Sequence, residues 1–326
     1  MRITFRSTGL LLATAFAIAC GGAVAQNFPN KPIKLVVGVA PGGGTDILGR
    51  LVGQQLSERL GVPVLIENKP GANGNIGNEY VANAAADGYT LLVGGSATMV
   101  LSAGLYKRLP FDLLRDFSPI ALITPGTTLV FAVHPSVPAN SIRELIDLAK
   151  SKPGELFYAS GAAVFQVAAE LFNKRAGVSI VQVPFKGAAP AIAATVGGQT
   201  AVIVVSVASG LPQIRGGRLR PLAVTGSHRD LLLPNVPTMN EAAGLENFEV
   251  PMWTGLFAPG TTPGPVVDKL ANEMSAILKS DIVKKRLNSI GYEVGTLTHA
   301  EFTKLQRDQI EYWSRVIRED LRIRLE

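Results

Sequence analysis

Three short stretches join an apolar run to a helical pattern through small residues, and they are where this chain can do chemistry. The first is Pro41-Gly42-Gly43-Gly44-Thr45-Asp46, between the β-rich run Ile33–Val39 and a helix. Glycine lets backbone N–H groups approach a ligand closely, and the first turn of a helix carries unpaired donors with partial positive charge. A carboxylate, phosphate or sulfate is favoured there. The stretch reads equally as a plain turn in which Thr45 or Asp46 caps the helix. Leu91–Val93 runs into Gly94-Gly95-Ser96-Ala97-Thr98, and Phe157–Ala159 into Ser160-Gly161-Ala162-Ala163. Three such turns opening on the carboxyl edge of parallel strands point to one anion. It would be held by main-chain N–H and hydroxyl groups rather than by arginine.

Other chemistries fit poorly. The glycines are not a dinucleotide fingerprint, because Ile47 fills the third glycine position, and no Gly-Lys-Ser/Thr follows for a nucleotide phosphate loop. There is no G-x-S-x-G elbow and no H-E-x-x-H. The three histidines, His134, His228 and His299, sit in separate segments, and Cys20 is the single cysteine. No metal, cofactor or catalytic residue is expected. The net charge of +6 comes from scattered Lys and Arg with no basic stripe, which argues against nucleic acid.

The elements that must position these turns alternate. From Asp46, Ile47, Leu48, Leu51, Val52, Leu56 and Leu60 fall at helical spacing and stop at Gly61. Val62–Ile66 and Leu91–Val93 read as further strands, with a helix near Ile76–Ala85 between them. Past Ile120–Pro125, four strand candidates (Leu129–Val133, Leu156–Ala159, Ile180–Val183 and Ala201–Val205) interleave with helices near Ile142–Lys150, Gln166–Ala176 and Ala188–Val196. Leu222–Thr225 and Met252–Ala258 follow as strands, then helices over Pro265–Leu278 and Ala300–Arg318. In the last helix Phe302, Leu305, Tyr312, Trp313, Val316 and Ile317 form one apolar stripe, expected to face the core. At 326 residues, with more strands than one sheet comfortably takes, two α/β lobes are expected, each a doubly wound mixed sheet with helices on both faces. Residues 26–124 and about 226–326 would form lobe 1, and about 125–225 lobe 2.

Residues 1–25 carry Arg2, Arg6, an apolar run from Leu10 to Ala19 and Ala23-Val24-Ala25, the pattern of a secretory signal peptide cleaved after Ala25. Ala17-Ile18-Ala19-Cys20 is a loose alternative lipoprotein signal, lacking the usual Leu. After cleavage at Ala25 no cysteine remains, which suits export without disulfides, as to a bacterial periplasm.

These motifs resemble the Bug family, the extracytoplasmic substrate-binding receptors of tripartite tricarboxylate transporters. The likeness rests on Pro32–Val37 with Pro41–Asp46, on Glu67-Asn68-Lys69-Pro70-Gly71-Ala72, on Gly74-Asn75-Ile76-Gly77 and on Ala86-Asp87-Gly88-Tyr89-Thr90-Leu91-Leu92. It continues through Pro184-Phe185-Lys186-Gly187, Gly197-Gly198-Gln199 and Pro234-Asn235-Val236-Pro237-Thr238. It implies a monomeric two-lobed periplasmic binding protein of type II-like fold, which closes on a small carboxylate and delivers it to a membrane permease. Carried over, the ligand residues are Gly43, Gly44, Thr45 and Asp46, then Ser96 and Ala97, then Ser160 and Gly161, with Phe185 walling the cleft.

Two departures bear on the ligand. Where relatives often have a Ser-rich turn ending in His, this chain has Ala163, Val164, Phe165 and Gln166. Where they commonly carry two Asp after Gly-Gly-Gln, it reads Thr200-Ala201-Val202-Ile203-Val204-Val205-Ser206. Losing an acid that would pair an ammonium group implies a ligand without an amine, with an apolar or aromatic body against Val164, Phe165 and Val205 beside Ser206. The alternative is that these residues are packing. Two other roles stay open: an accessory that carries the ligand to a membrane signalling kinase, and an exported enzyme acting on a small anion.

Overall fold

The computed structural model describes residues 28–126 and 128–325. The proposed signal peptide and Cys20 lie outside them. Two five-stranded mixed sheets make up the molecule. In the first, β1 (Ile33–Val37) pairs in parallel with β2 (Val64–Asn68) and β3 (Thr90–Gly95). The last strand of the chain, β10 (Thr254–Pro259), lies antiparallel between β3 and β4 (Phe117–Thr124). The second sheet has the order β7 (Ile180–Pro184), β6 (Leu156–Ser160), β8 (Val202–Ser206), β5 (Leu129–Val133), β9 (Arg220–Val224). Its β6, β7 and β8 are parallel, and β5 runs against both its neighbours. The chain passes from one sheet to the other after β4 and returns after β9, and these two are edge strands.

Alternation along β1 sets the packing of the first sheet. Ile33, Leu35 and Val37 face one layer, where α1 (Gly44–Leu60) and α9 (Gly264–Lys279) bury Leu48, Val52, Leu56, Val266, Leu270 and Met274. Val36 faces the other layer with Leu92 and Phe257, against Met99 and Phe302. That second core continues into the other lobe through Phe131, Phe172 and Val204, so one apolar cluster spans both lobes.

The other helices are α2 (Asn75–Ala82), α3 (Ser102–Leu105), α4 (Ile142–Ser151), α5 (Ala163–Ala176), α6 (Ala188–Val196), α7 (Val207–Arg215), α8 (Met239–Ala243), α10 (Asp281–Ser289) and α11 (His299–Arg315). Differences from expectation have local causes. α5 starts three residues before Gln166, because Ala162 adopts extended backbone and frees Ala163 to begin the helix. α7, with Pro212 inside it, the five-residue α8 and α10 are helices that the spacing did not announce. The last helix runs on from Arg315 as a π-helical turn, Val316–Leu321. Its stripe holds at Phe302, Trp313, Val316 and Ile317, but Tyr312 is 42% exposed, and Gln306 is buried in its stead, donating to Met99 O at 3.3 Å.

Candidate functional site

Because β1, β3, β6 and β8 run parallel within their sheets, their following turns open on the carboxyl edges. At the β1–α1 turn Gly42 takes φ +85°, a left-handed conformation that favours glycine. Gly43 stands at the N-cap of α1 with no side chain to cap it. The N–H groups of Gly44, Thr45 and Asp46 have no acceptor among the described residues, and the first bond of the helix is Ile47 N–H to Gly43 O at 3.0 Å. Thr45, half-buried, makes no hydrogen bond with its hydroxyl among the described residues.

Asp46 braces this turn from beneath. It is 2% exposed; Oδ2 accepts from Gly42 N and Arg50 Nε, both at 2.9 Å, and Oδ1 from Asn68 Nδ2 at 2.8 Å. Burial pushes its pKa up, but the hydrogen bonds from Arg50, Gly42 and Asn68 outweigh that and hold it at about 2. Its carboxylate is therefore committed to the fold, and what Asp46 can offer a ligand is its backbone N–H.

After β3 the chain enters a π-helical turn, Ala97–Leu101, which a short run of small residues did not announce. Ser96 is buried and tied to the return crossover: its Oγ donates to Pro251 O at 2.6 Å and its N–H to Trp253 O at 2.9 Å. Ser96 thus joins the turn to the segment leading into β10, and the half-buried Ala97 opens the helical turn.

In the second lobe Ser160 is buried, with Oγ donating to Ala162 O at 3.1 Å. A Cβ on Gly161 would stand 2.2 Å from Gly187 O, so the β6–α5 turn rests directly on the β7–α6 turn. Phe185, half-buried, donates its N–H to Ser160 O at 2.8 Å, joining the same two turns. α5 starts uncapped; Ala163 and Val164 N–H have no acceptor among the described residues, whereas Phe165 and Gln166 bond back to Ala162 O. Val164 and Phe165 are 6% and 8% exposed. Val205 is turned onto α7, its Cγ1 3.0 Å from where a Cβ on Gly210 would sit, and Ser206 caps α7 by accepting from Ser209 N. Val205 is 1% exposed and packs in the core.

The structure brings α5 of the second lobe against the π-helical turn after Ser96, while the β1–α1 turn is set beside Tyr292 and the loop after β2. The sequence reading did not place that loop beside the β1–α1 turn. A Cβ on Gly38 would lie 2.7 Å from Gly74 O and one on Gly77 2.8 Å from Gly38 Cα, so α2 starts against the β1–α1 loop. The spacing Gly71, Gly74, Gly77 was the available signal. Asn75 is buried there with Oδ1 unpartnered among the described residues. Among those residues no group of three His, Cys, Asp or Glu could hold a metal ion, and no helix is long and apolar enough to cross a membrane.

A contrast in capping runs through the chain. Side chains cap α4 (Ser141), α7 (Ser206), α8 (Thr238), α10 (Ser280) and α11 (Thr298). The helices that start at the other candidate turns, α1, α2, α5, α6 and the π-helical turn, have no side-chain cap; α7, which follows β8 on the same edge, is the capped exception. α9, which begins Pro263-Gly264-Pro265, is uncapped as well, away from those turns. An uncapped start leaves its amides and dipole for an outside anion.

Known proteins resemble the chain over most of its length. A family profile described as tripartite tricarboxylate transporter family receptor matches residues 48–321. Protein BugT of Bordetella pertussis is 33% identical over 314 residues, covering 95% of each chain. Among solved structures, Rpa4515 of R. palustris with adipate is 32% identical with a TM-score of 0.80, covering 91% of this chain and all of its own. MatC from Rhodopseudomonas palustris with bound malate is 33% identical with a TM-score of 0.76, covering 89% of this chain and all of its own.

Proposed function

Since the chain belongs to the family of tripartite tricarboxylate transporter receptors, the Bug proteins among them, we propose that it is a periplasmic receptor for a small carboxylate without an amino group. The observation that carries this reading is the set of uncapped helix starts on the carboxyl edges of both sheets. Gly44, Thr45, Asp46, Ala163 and Val164 supply N–H donors to the acid group, Ala97 opens a further helical turn toward it, and Thr45 adds a hydroxyl. Gly43 and Gly161 let the backbones come close. Ser96 and Ser160, whose hydroxyls are spent within the protein, position their turns and do not bind through those hydroxyls.

Selection against an amine follows from what the turns lack. Asp46 is the only acid in them, and both of its oxygens are taken, so an ammonium group would be buried without a partner. Val164, Phe165 and Phe185 give the ligand an apolar wall. The neighbours with adipate and malate support a linear diacid. Closure of the lobes about the two crossovers would enclose it and present one surface to a membrane permease.

Calorimetric titration with adipate, malate, glutamate and aspartate tests this. The amine-free diacids should bind at least tenfold more tightly than the amino acids, about 1.4 kcal/mol. Equal or tighter binding of aspartate or glutamate would overturn the amine-free assignment. For the transport role, deleting the gene should slow uptake of the bound diacid by the host.

A further inference from the structure

A cavity of about 910 Å³ lies on the hinge and shares no residue with the turns described above. It opens where the edge strands β4 and β9 end, between Pro125 and Gly126 of one crossover and Thr225, Gly226, Met252 and Trp253 of the other. The second lobe adds Arg175; the first lobe adds the loop at Gly291 and one flank of α11. Its volume falls in the range of small-molecule sites, roughly 300–1,000 Å³.

Two features define what it would hold. Tyr312, the stripe residue that fails to reach the core, is 42% exposed and forms the open aromatic wall, backed by Trp253 and Trp313, which are core residues with only an edge on the cavity. Five carboxylates line it: Asp230, Glu246, Glu249, Glu293 and Asp308. Asp308 is paired with Lys304, Asp230 accepts from Thr128 Oγ1 and Leu232 N, and Glu293 stands 4.0 Å from His228. Glu246 and Glu249 have no cationic partner among the described residues. Arg175 donates to the carbonyls of Glu246 and Asn247, at 2.7 and 3.1 Å, and keeps its positive charge, so the carboxylates of the lining outnumber its cations without being the only charges there. A pocket with an exposed aromatic side chain and an excess of carboxylates attracts an organic cation with an apolar body.

We propose that this hinge cavity is a second binding site, of opposite charge preference to the first, for a small organic ammonium ion. Its walls come from both lobes and both crossovers, so an occupant would sit on the hinge itself.

The chain has two tryptophans, and both line the cavity, so intrinsic fluorescence reports on it directly. Titrating the full chain with benzyltrimethylammonium should give a saturable change that benzyl alcohol does not. The double variant Glu246→Gln/Glu249→Gln should weaken binding at least tenfold, and Tyr312→Ala several-fold, with thermal unfolding unchanged. Three results would overturn the site: no saturable signal, an equal signal from benzyl alcohol, or binding that the double variant leaves intact. Carboxylate titration of the same preparations by calorimetry reads the other cleft separately, so failure of the receptor reading and failure of this one are distinguishable.

Discussion

α1 and α11 are both seventeen-residue helices of the first sheet's lobe, and both carry an acid at the third helical position, yet they begin in opposite ways. α11 closes on itself: Thr298 Oγ1 accepts from Glu301 N at 3.3 Å, and Glu301 Oε2 accepts from Thr298 N at 2.8 Å. In α1 the N-cap is Gly43, and Asp46 reaches past it to Gly42, Arg50 and Asn68. The same kind of side chain seals one helix start and holds the other open. The first arrangement contributes stability; the second gives up a cap and keeps its amides for a guest.

Changes at the two starts separate these roles. Asp46→Asn should have the largest effect, about 2 kcal/mol of stability at neutral pH measured by urea unfolding, because a buried charge-assisted network loses its acceptor. The pKa of Asp46 is lowered from 3.8 to about 2 on folding, so its contribution is complete above about pH 4 and is lost as pH falls through about 2. The gap between wild type and Asp46→Asn should shrink across that window; a gap still present below it would contradict the brace. Thr45→Val comes next: about tenfold weaker carboxylate binding, near 1.4 kcal/mol, with unfolding unmoved. Thr298→Ala should do the reverse, costing about 1 kcal/mol of stability and leaving affinity alone. Smallest in stability is Gly43→Ser. The φ of −71° at that position accepts serine, so the variant should gain a few tenths of a kcal/mol while its new hydroxyl competes for the α1 amides and lowers affinity several-fold. Tighter binding by Gly43→Ser would break the contrast.

Much of this was legible in the sequence. The alternation of strands and helices, the three turns and the absence of Ser, Thr, Asp or Asn at position 43 and at position 162 are all local features. What the chain hides is long range. Ser96 reads as a free hydroxyl until Pro251 and Trp253, about 155 residues on, arrive to take both of its groups. Val205 reads as cleft lining because it stands where relatives carry an Asp, and its burial against α7, where Gly210 leaves it room, is a tertiary contact that no local pattern shows. Tyr312 fits the helical stripe by spacing and misses the core because the helix passes over the hinge, where no layer covers it.

The place of β10 has a consequence for biosynthesis. A chain emerging from its amino end delivers β1 to β4 early, yet the gap between β3 and β4 stays empty until residue 259 is available. The five strands of the other sheet are contiguous, from residue 129 to residue 224, and the pieces that finish their packing, Met239 and Phe248, still precede β10. The half that is made second is therefore free to finish first, and the half that starts the chain waits open-edged for its final strand.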